Sequence, residues 1–560
     1  MQSGVLVEKG FKKSFFNLLF HALFYVAIFF AIVIFWLTLK PRLRGFKLSN
    51  IWWRSEKKSG ESIVVTQDVV YLLLLLAVIA LAIQFIFSKK ISTTNKIIVL
   101  MVIGFIIKMS YPLGNICKDR QHDVWGDTSH EGYAWTIYDT GKLPTTNEWQ
   151  FYHPPLNAFI QATFMKFFDA LTQLIQKFTS FSIEGFMDGQ GGTEAYRYYL
   201  YSSCSVLSVF YSVIASFVMV KTLIAMGIKD TALVLSSAVV ILFPTLTVFA
   251  GALNNDPLAF TCSCLAVYKC VKWWKCGKRW SDILFCGLFI GLGMNTKLNS
   301  AVVALPIAFV FIYEFVRSCK KKEDALSVKK IILQFAAFLI VCAPIGLWFS
   351  VYTKIRFGQK LGYIAGETGG LNPALSTKEH GFVERFLICF DKDQYFGSIE
   401  VRPFINGTTG QMNNYYILDY ALKTALMGEY SYLNFEFFTS NGIIFAYLAL
   451  ITFAISFVYY VVFLIRRGKR DEVVTKFIFI TILAFSFIVS FVYFNIKMPY
   501  ACTQDFRYIM PLILVFACMI GAMESKREEM GRFGKVIGRT LSVTVISLLA
   551  CMSTMFFLYA

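Results

Sequence analysis

The chain has 560 residues, 56% hydrophobic and 16% charged, with a formal net charge of +19. A soluble domain carries roughly 25% charged residues, so this composition excludes an ordinary soluble fold. The positive charge does not mark a nucleic-acid binder either. It falls in short runs between apolar blocks, as at Lys320, Lys321 and Lys322, at Arg466 and Arg467, and at Lys526 and Arg527. That is how the cytoplasmic ends of membrane-spanning helices read. The 13 cysteines are scattered without a CxxC pair, so neither a disulfide framework nor a thiolate metal site is indicated.

Residues 1–14 are basic and residues 15–39 apolar. The block is too long for a signal-peptide core and lacks a small-residue cleavage site before Lys40, which predicts an uncleaved anchor. Further apolar blocks follow at 70–88, 96–113, 199–226, 231–252, 257–275, 280–295, 298–317, 329–352, 441–465, 474–495, 508–524 and 537–559. Each approaches the about 20 residues that cross a bilayer, so about thirteen spans are expected in an all-α polytopic membrane protein. With the N-terminus inside, linkers 88–96, 269–279, 317–330, 466–476 and 525–539 are cytoplasmic, and all are rich in Lys or Arg. Linker 40–69 is also basic, yet parity places it outside.

Two long segments then lie on the outer side, 114–198 and 353–440. Within the first, 154–178 is nearly apolar enough to span, but Lys166, Asp169, Gln173, Gln176 and Lys177 predict a helix in the membrane interface. The chain thus divides into an N-terminal hairpin with its basic loop (1–95), a transmembrane core (96–352) holding the first outer loop, a second outer loop (353–440) and C-terminal helices (441–560).

The first outer loop concentrates His122, His130 and His153, three of the five histidines, beside acids and aromatics. Asp123 lies a few residues past the membrane exit. Alone it would read as a solvated loop acid; with these neighbours it reads as a candidate catalytic carboxylate, with His122 or Glu131 as helper. Pro154 and Pro155 fix the backbone after His153 and so aim that side chain. Trp125, Tyr133 and Trp149 are suited either to stacking on sugar faces or to packing.

Three more clusters fall at outer ends of spans. They are Asn254, Asn255 and Asp256 before Pro257; Thr296 and Lys297; and Asp505, Arg507 and Tyr508. An Asn-Asp-Pro run also serves as a turn and helix cap, and an interfacial Lys also serves as an anchor. Lys297 and Arg507 nevertheless run against the positive-inside bias, so each calls for an anionic partner. A lipid phosphate supplies one.

Together these pieces resemble the GT-C superfamily of lipid-carrier-dependent glycosyltransferases. Within it they look most like the protein O-mannosyltransferase group and its bacterial relatives, including the aminoarabinose transferases. The resemblance spans about residues 96–524. It rests on Asp123, on His153 to Leu156, on Asn254 to Asp256, on Thr296 and Lys297, and on Arg507 and Tyr508. It implies a GT-C-like bundle with two large outer loops and an inverting sugar transfer from a polyprenyl-phosphate carrier to an acceptor hydroxyl. Asp123 would be the base. His153, Lys297, Arg507 and Tyr508 would hold the lipid phosphate, and Trp125, Tyr133, Asn255, Asp256 and Arg402 would contact substrate. Mannosyltransferases of the group carry Asp-Glu where this chain has His122-Asp123, and lipid A-modifying relatives carry Lys in place of His153, so donor sugar and acceptor stay open.

The expected partners are a polyprenyl-phosphate sugar, a glycan, lipid or protein acceptor, and membrane lipids, but no nucleic acid. No cofactor is implied; the chemistry admits a divalent cation beside Asp123 and Asp256 without requiring one. The expected location is a multi-pass cell membrane, with no retention signal to point to the endoplasmic reticulum rather than a bacterial plasma membrane. Two competing readings are a glycan polymerase or ligase relying on Arg356 and Arg402, and a lipid-sugar flippase. A flippase would be expected to show repeated halves or ionisable residues buried mid-span.

Overall fold

A computed structural model describes residues 2–43, 62–114, 126–183, 194–322, 325–361, 376–387, 415–428, 436–467, 471–529 and 531–559. Every long element among them is helical. Among the described residues the only pairing of extended backbone is an isolated bridge between Ser376 and Tyr500.

The helices are α1 (Gln2–Leu43), α2 (Ser62–Phe87), α3 (Thr93–Gly114), α4 (His130–Thr140), α5 (Leu156–Phe178) and α6 (Ala195–Ser203). The core continues with α7 (Ser205–Ala225), α8 (Asp230–Leu242), α9 (Pro244–Ala250), α10 (Asp256–Lys275), α11 (Trp280–Met294), α12 (Ala304–Cys319) and α13 (Val328–Phe357). Then come α14 (Ile417–Met427), α15 (Glu436–Arg467), α16 (Asp471–Lys497), α17 (Leu512–Lys526) and α18 (Arg532–Tyr559).

Each apolar block expected to span is helical where described, but fewer than thirteen segments qualify as spans. Among the described residues nine helices are long and apolar enough to cross a membrane, or ten if the bent pair around Ile509 and Leu512 counts as one. Helix α10 does not qualify, because Lys269, Lys272 and Lys275 charge its last turns. Helix α11 has only 15 residues.

Helix packing follows from side-chain size. On α11, a Cβ added at Gly287 would sit 2.8 Å from the Phe338 carbonyl, and one added at Gly291 would sit 2.9 Å from Ile345. The absent side chains let α11 and α13 approach backbone to backbone. Pro244 interrupts the span shared by α8 and α9, since the residue before a proline avoids helical geometry and Phe243 is extended. The break leaves carbonyls at the end of α8 without helical partners. Lys108 of α3, almost wholly buried, donates to one of them, the Ile241 carbonyl.

Charges segregate to the two ends of the α10–α11–α12 unit. At one end Glu314, fully buried, accepts from Trp274 Nε1 at 3.0 Å and pairs with Lys278 at 2.5 Å and Arg317 at 3.1 Å. Beside it Asp282 pairs with Lys269 at 3.3 Å and Lys272 at 3.6 Å. These are linkers whose basic runs in the sequence predict a position inside. The turns after α9 and after α11, which carry Asp256 and Lys297, lie at the other end.

Candidate active site

Two turns and one short 3-10 segment build the centre. Asn254 Oδ1 accepts from the Asp256 amide at 3.0 Å, which sets Asp256 at the first turn of α10 with Pro257 behind it. Pro is tolerated there because the first helical N–H groups have no partner. Asn255 Nδ2 donates 3.2 Å to the Thr296 carbonyl and joins this turn to the next. In that second turn the Lys297 amide donates 2.8 Å to the Gly293 carbonyl, and Lys297 itself is extended. Its ammonium therefore leaves the helix end and meets Asp256 Oδ1 at 2.5 Å, with both side chains buried.

The third piece is Phe506–Ile509. Asp505 caps it by accepting from the Arg507 amide at 2.7 Å. Arg507 Nε lies 3.9 Å from Asp256 Oδ2, and Arg507 Nη2 donates 3.3 Å to the Cys502 carbonyl. Both cations face Tyr508, Lys297 at 4.6 Å and Arg507 at 5.3 Å from the ring centre. Residues 41, 210 and 251 positions apart along the chain thus share one carboxylate and one phenol. A cleft of ≈ 20 Å³, about the room of one water, opens among Asp256, Ser263, Asn299, Arg507 and Tyr508.

Burial lowers the Lys297 ammonium below its ordinary value, and Arg507 adds to this while Asp256 opposes it. A second anion arriving here would favour the charged form.

The first outer loop closes over this centre through α4 and α5. The Leu156 amide donates 3.1 Å to the Asn295 carbonyl; Asn157 donates 3.2 Å to the Asn254 carbonyl and Gln161 donates 2.6 Å to the Leu253 carbonyl. Helix α5 does not qualify as a span. One face is buried in these contacts while Phe159, Phe167, Leu174 and Phe178 are exposed.

The start of α4 is pinned to the turn before α5. Gln150 donates its amide 3.1 Å to the Thr128 carbonyl, and Tyr133 Oη donates 3.3 Å to the His153 carbonyl. As a result His130 and His153 stack with ring centres 5.6 Å apart and planes 18° from parallel. Burial pushes the His130 imidazole down to about 3, Lys297 and Arg507 also lowering it and Asp256 opposing. His153 falls well below its usual value, first through burial and then through His130, Lys297 and Arg507.

Gly132 lets the turn before α4 fold back tightly on the helix start. A Cβ there would lie 2.2 Å from the Asp127 carbonyl oxygen. Gly132→Ala should therefore lower thermal stability by about 1–3 kcal/mol, the usual cost of overpacking, although alanine favours helix by roughly 1 kcal/mol. Thermal unfolding of the purified variant checks the sign.

Of the expected site residues, Asp256, Lys297, Arg507 and Tyr508 meet in one cluster, and charges of that cluster act on His153. Asn255 spends its amide on the Thr296 carbonyl, between the two turns. Tyr133 is almost fully buried against Phe151, so its ring packs the loop. Glu131 is buried in the first turn of α4, where its Oε1 accepts from the Gly126 amide at 3.4 Å. Asp123, His122, Trp125, Arg402 and the Trp149 side chain lie outside the described residues. Among the described residues no group of three or more His, Cys, Asp or Glu side chains could hold a metal ion. His130, counted in the sequence among the three loop histidines, carries no sequence signal of its own beyond that company.

The fold and its apolar helices define an all-helical, multi-pass membrane protein. Residues 201–348 match the family of dolichyl-phosphate-mannose-protein mannosyltransferases. Over that range, which holds Asn254 to Asp256 and Lys297, the resemblance to GT-C glycosyltransferases is borne out. No curated protein matches the chain. Similar solved structures include the S. cerevisiae protein O-mannosyltransferase Pmt1-Pmt2 complex bound to the sugar donor, at 14% identity and a TM-score of 0.33. That alignment covers 50% of this chain and only 35% of the yeast one. ArnT from Cupriavidus metallidurans is similar in its apo state at 10% identity, covering 83% of this chain and 75% of that one with a TM-score of 0.42. Its form bound to undecaprenyl phosphate gives 9% identity, 83% and 76% coverage, and a TM-score of 0.44.

Proposed function

We propose that the chain transfers a sugar from a polyprenyl-phosphate carrier to an acceptor hydroxyl at the outer face of the membrane, with inversion. The supporting observation is the convergence of Lys297 and Arg507 on Asp256 beside a cleft. Lys297, buried, and Arg507, largely buried, gather on Asp256 with the Asp505 carboxylate also acting on Lys297. The family match over residues 201–348 supports a lipid phosphate as the anion the two cations receive.

In this reading the acceptor oxygen bonds to the anomeric carbon while the bond from that carbon to the phosphate oxygen breaks. The acceptor proton passes to Asp123, assisted by His122 or Glu131, and the phosphate monoester departs with the electron pair. It leaves with one more negative charge than it had as a diester. Lys297 and Arg507 stabilise that growing charge, His153 donates to it, and Tyr508 backs the two cations. Trp125, Asn255, Asp256 and Arg402 complete the binding surface. The acceptor is a glycan, lipid or protein.

Arg356, on which a polymerase or ligase reading leans, is exposed in the last turn of α13 together with Lys354, and its guanidinium lies 5.7 Å from the Phe357 ring centre. The direct test incubates the purified protein in lipid with a panel of radiolabelled polyprenyl-phosphate sugars and acceptor extracts. Release of free polyprenyl phosphate from one donor is expected. Transport of a labelled lipid without cleavage would overturn the proposal.

A further inference from the structure

Resting on the reading that the cluster receives a lipid phosphate, we propose that His130 is a positioning residue of this site. Its ring stacks on His153 and keeps that imidazole in place and dry beside Lys297 and Arg507.

The geometry comes from contacts far apart in sequence. Ser129 caps α4 by accepting from the Gly132 amide, and the Gln150–Thr128 and Tyr133–His153 hydrogen bonds fix the two turns face to face. His153 has two ring neighbours, Tyr152 at 4.1 Å and tilted, and His130 at 5.6 Å and nearly parallel. Both histidines are half-buried, so they are enclosed but still reachable by a ligand. The backbone of His153 is separately anchored, by Pro154 after it and by Tyr133 on its carbonyl. What remains to be fixed is the ring, and His130 supplies the surface for it.

The consequence is a neutral His153. The charged groups acting on the pair are Asp256, Lys297 and Arg507, with the phenols of Tyr133 and Tyr152 packed alongside. Two cations already crowd the site, and a dry imidazole beside them stays unprotonated. It then presents an N–H to a phosphodiester without adding a third positive charge. Removal of the His130 ring admits water to its place. His153 should then move back up toward its ordinary value of about 6.5, with Lys297 and Arg507 still opposing, and become protonated as pH falls.

The test measures binding of a short-chain prenyl phosphodiester, which does not titrate between pH 5 and 8, to the full-length protein in lipid. Wild-type and His130→Phe should bind within about threefold of one another and show no step in that range. His130→Ala should bind about tenfold more weakly at pH 8, the scale of one lost aromatic pair. Its affinity should then rise as pH drops below about 6.5, and the step should vanish in the His130→Ala/His153→Gln double variant. His130→Ala matching wild-type at every pH would overturn the proposal, as would His130→Phe behaving like His130→Ala. Failure of the wild-type itself to bind would instead remove the phosphate reading on which the proposal stands. Unfolding midpoints of all variants separate loss of fold from loss of position.

Discussion

Exchange of Lys297 for methionine should lower kcat/KM for transfer by about a hundredfold or more, the typical effect of removing a preorganised donor from a developing oxyanion. It should also destabilise the fold by about 3 kcal/mol. Both figures follow from one feature: the ammonium is the near partner of Asp256, at 2.5 Å, and the side chains are 9% and 5% exposed. Removing one member of a buried pair leaves the other charge desolvated, which costs roughly 3–5 kcal/mol. The lower end applies here because Arg507 still lies 3.9 Å from the carboxylate. Adding Asp256→Asn to Lys297→Met should recover most of the stability, since the stranded charge disappears, yet recover no transfer. Chemical unfolding and initial rates on the single and double variants separate these two roles. Equal stability of wild-type and Lys297→Met would mean that the pair is solvated and that the cluster is not the closed centre described.

Asp123→Asn should stop transfer while leaving donor binding intact. A positioned general base contributes about 10²–10⁴-fold, and an amide of the same shape cannot take the acceptor's proton. Because the phosphate would be held by Lys297 and Arg507, KM for the donor should stay within about threefold of wild-type as kcat falls. The split matters. A combined collapse of kcat and binding would place Asp123 in donor binding, and near-normal turnover would remove it from the role of base.

The parts of this site legible in the sequence are those where a residue type contradicts its surroundings. Lys297 and Arg507 are cations at span ends on the side where basic residues are scarce, and that alone predicts an anionic partner. The partner found, Asp256, belongs to an Asn-Asp-Pro turn that also reads as a helix start, and it is both. The helical blocks were legible from apolarity, whereas the number of true spans was not. The lysines near the end of α10 and the shortness of α11 keep those two helices below the length and apolarity of a span.

Other features have no local signature. The pairing of His130 with His153 depends on two hydrogen bonds, from Gln150 to the Thr128 carbonyl and from Tyr133 to the His153 carbonyl, that join turns well separated in the chain. Tyr133 carries the composition of a sugar-stacking residue, yet its hydroxyl ties down the His153 backbone. Asn255 reads equally as a ligand contact, and the Thr296 carbonyl takes its amide. Such choices are made by neighbours tens of residues away, which periodicity and spacing do not encode.

The second outer segment is joined to the strip that bears Arg507 at several points. Thr424 on α14 accepts the Phe506 amide at 2.9 Å, and Gln504 donates 3.5 Å to the Tyr415 carbonyl. Thr377 donates 2.7 Å to the Pro499 carbonyl, and Arg385 donates 3.1 Å to the Asn495 carbonyl. Residues 376–387, 415–428 and 495–508 are therefore a single module in mechanical terms, although the last piece lies far along the chain from the first two. Anyone transplanting this region between related scaffolds would have to move the pieces together: a graft of the earlier ones alone would part Thr424 from the Phe506 amide and the Tyr415 carbonyl from Gln504.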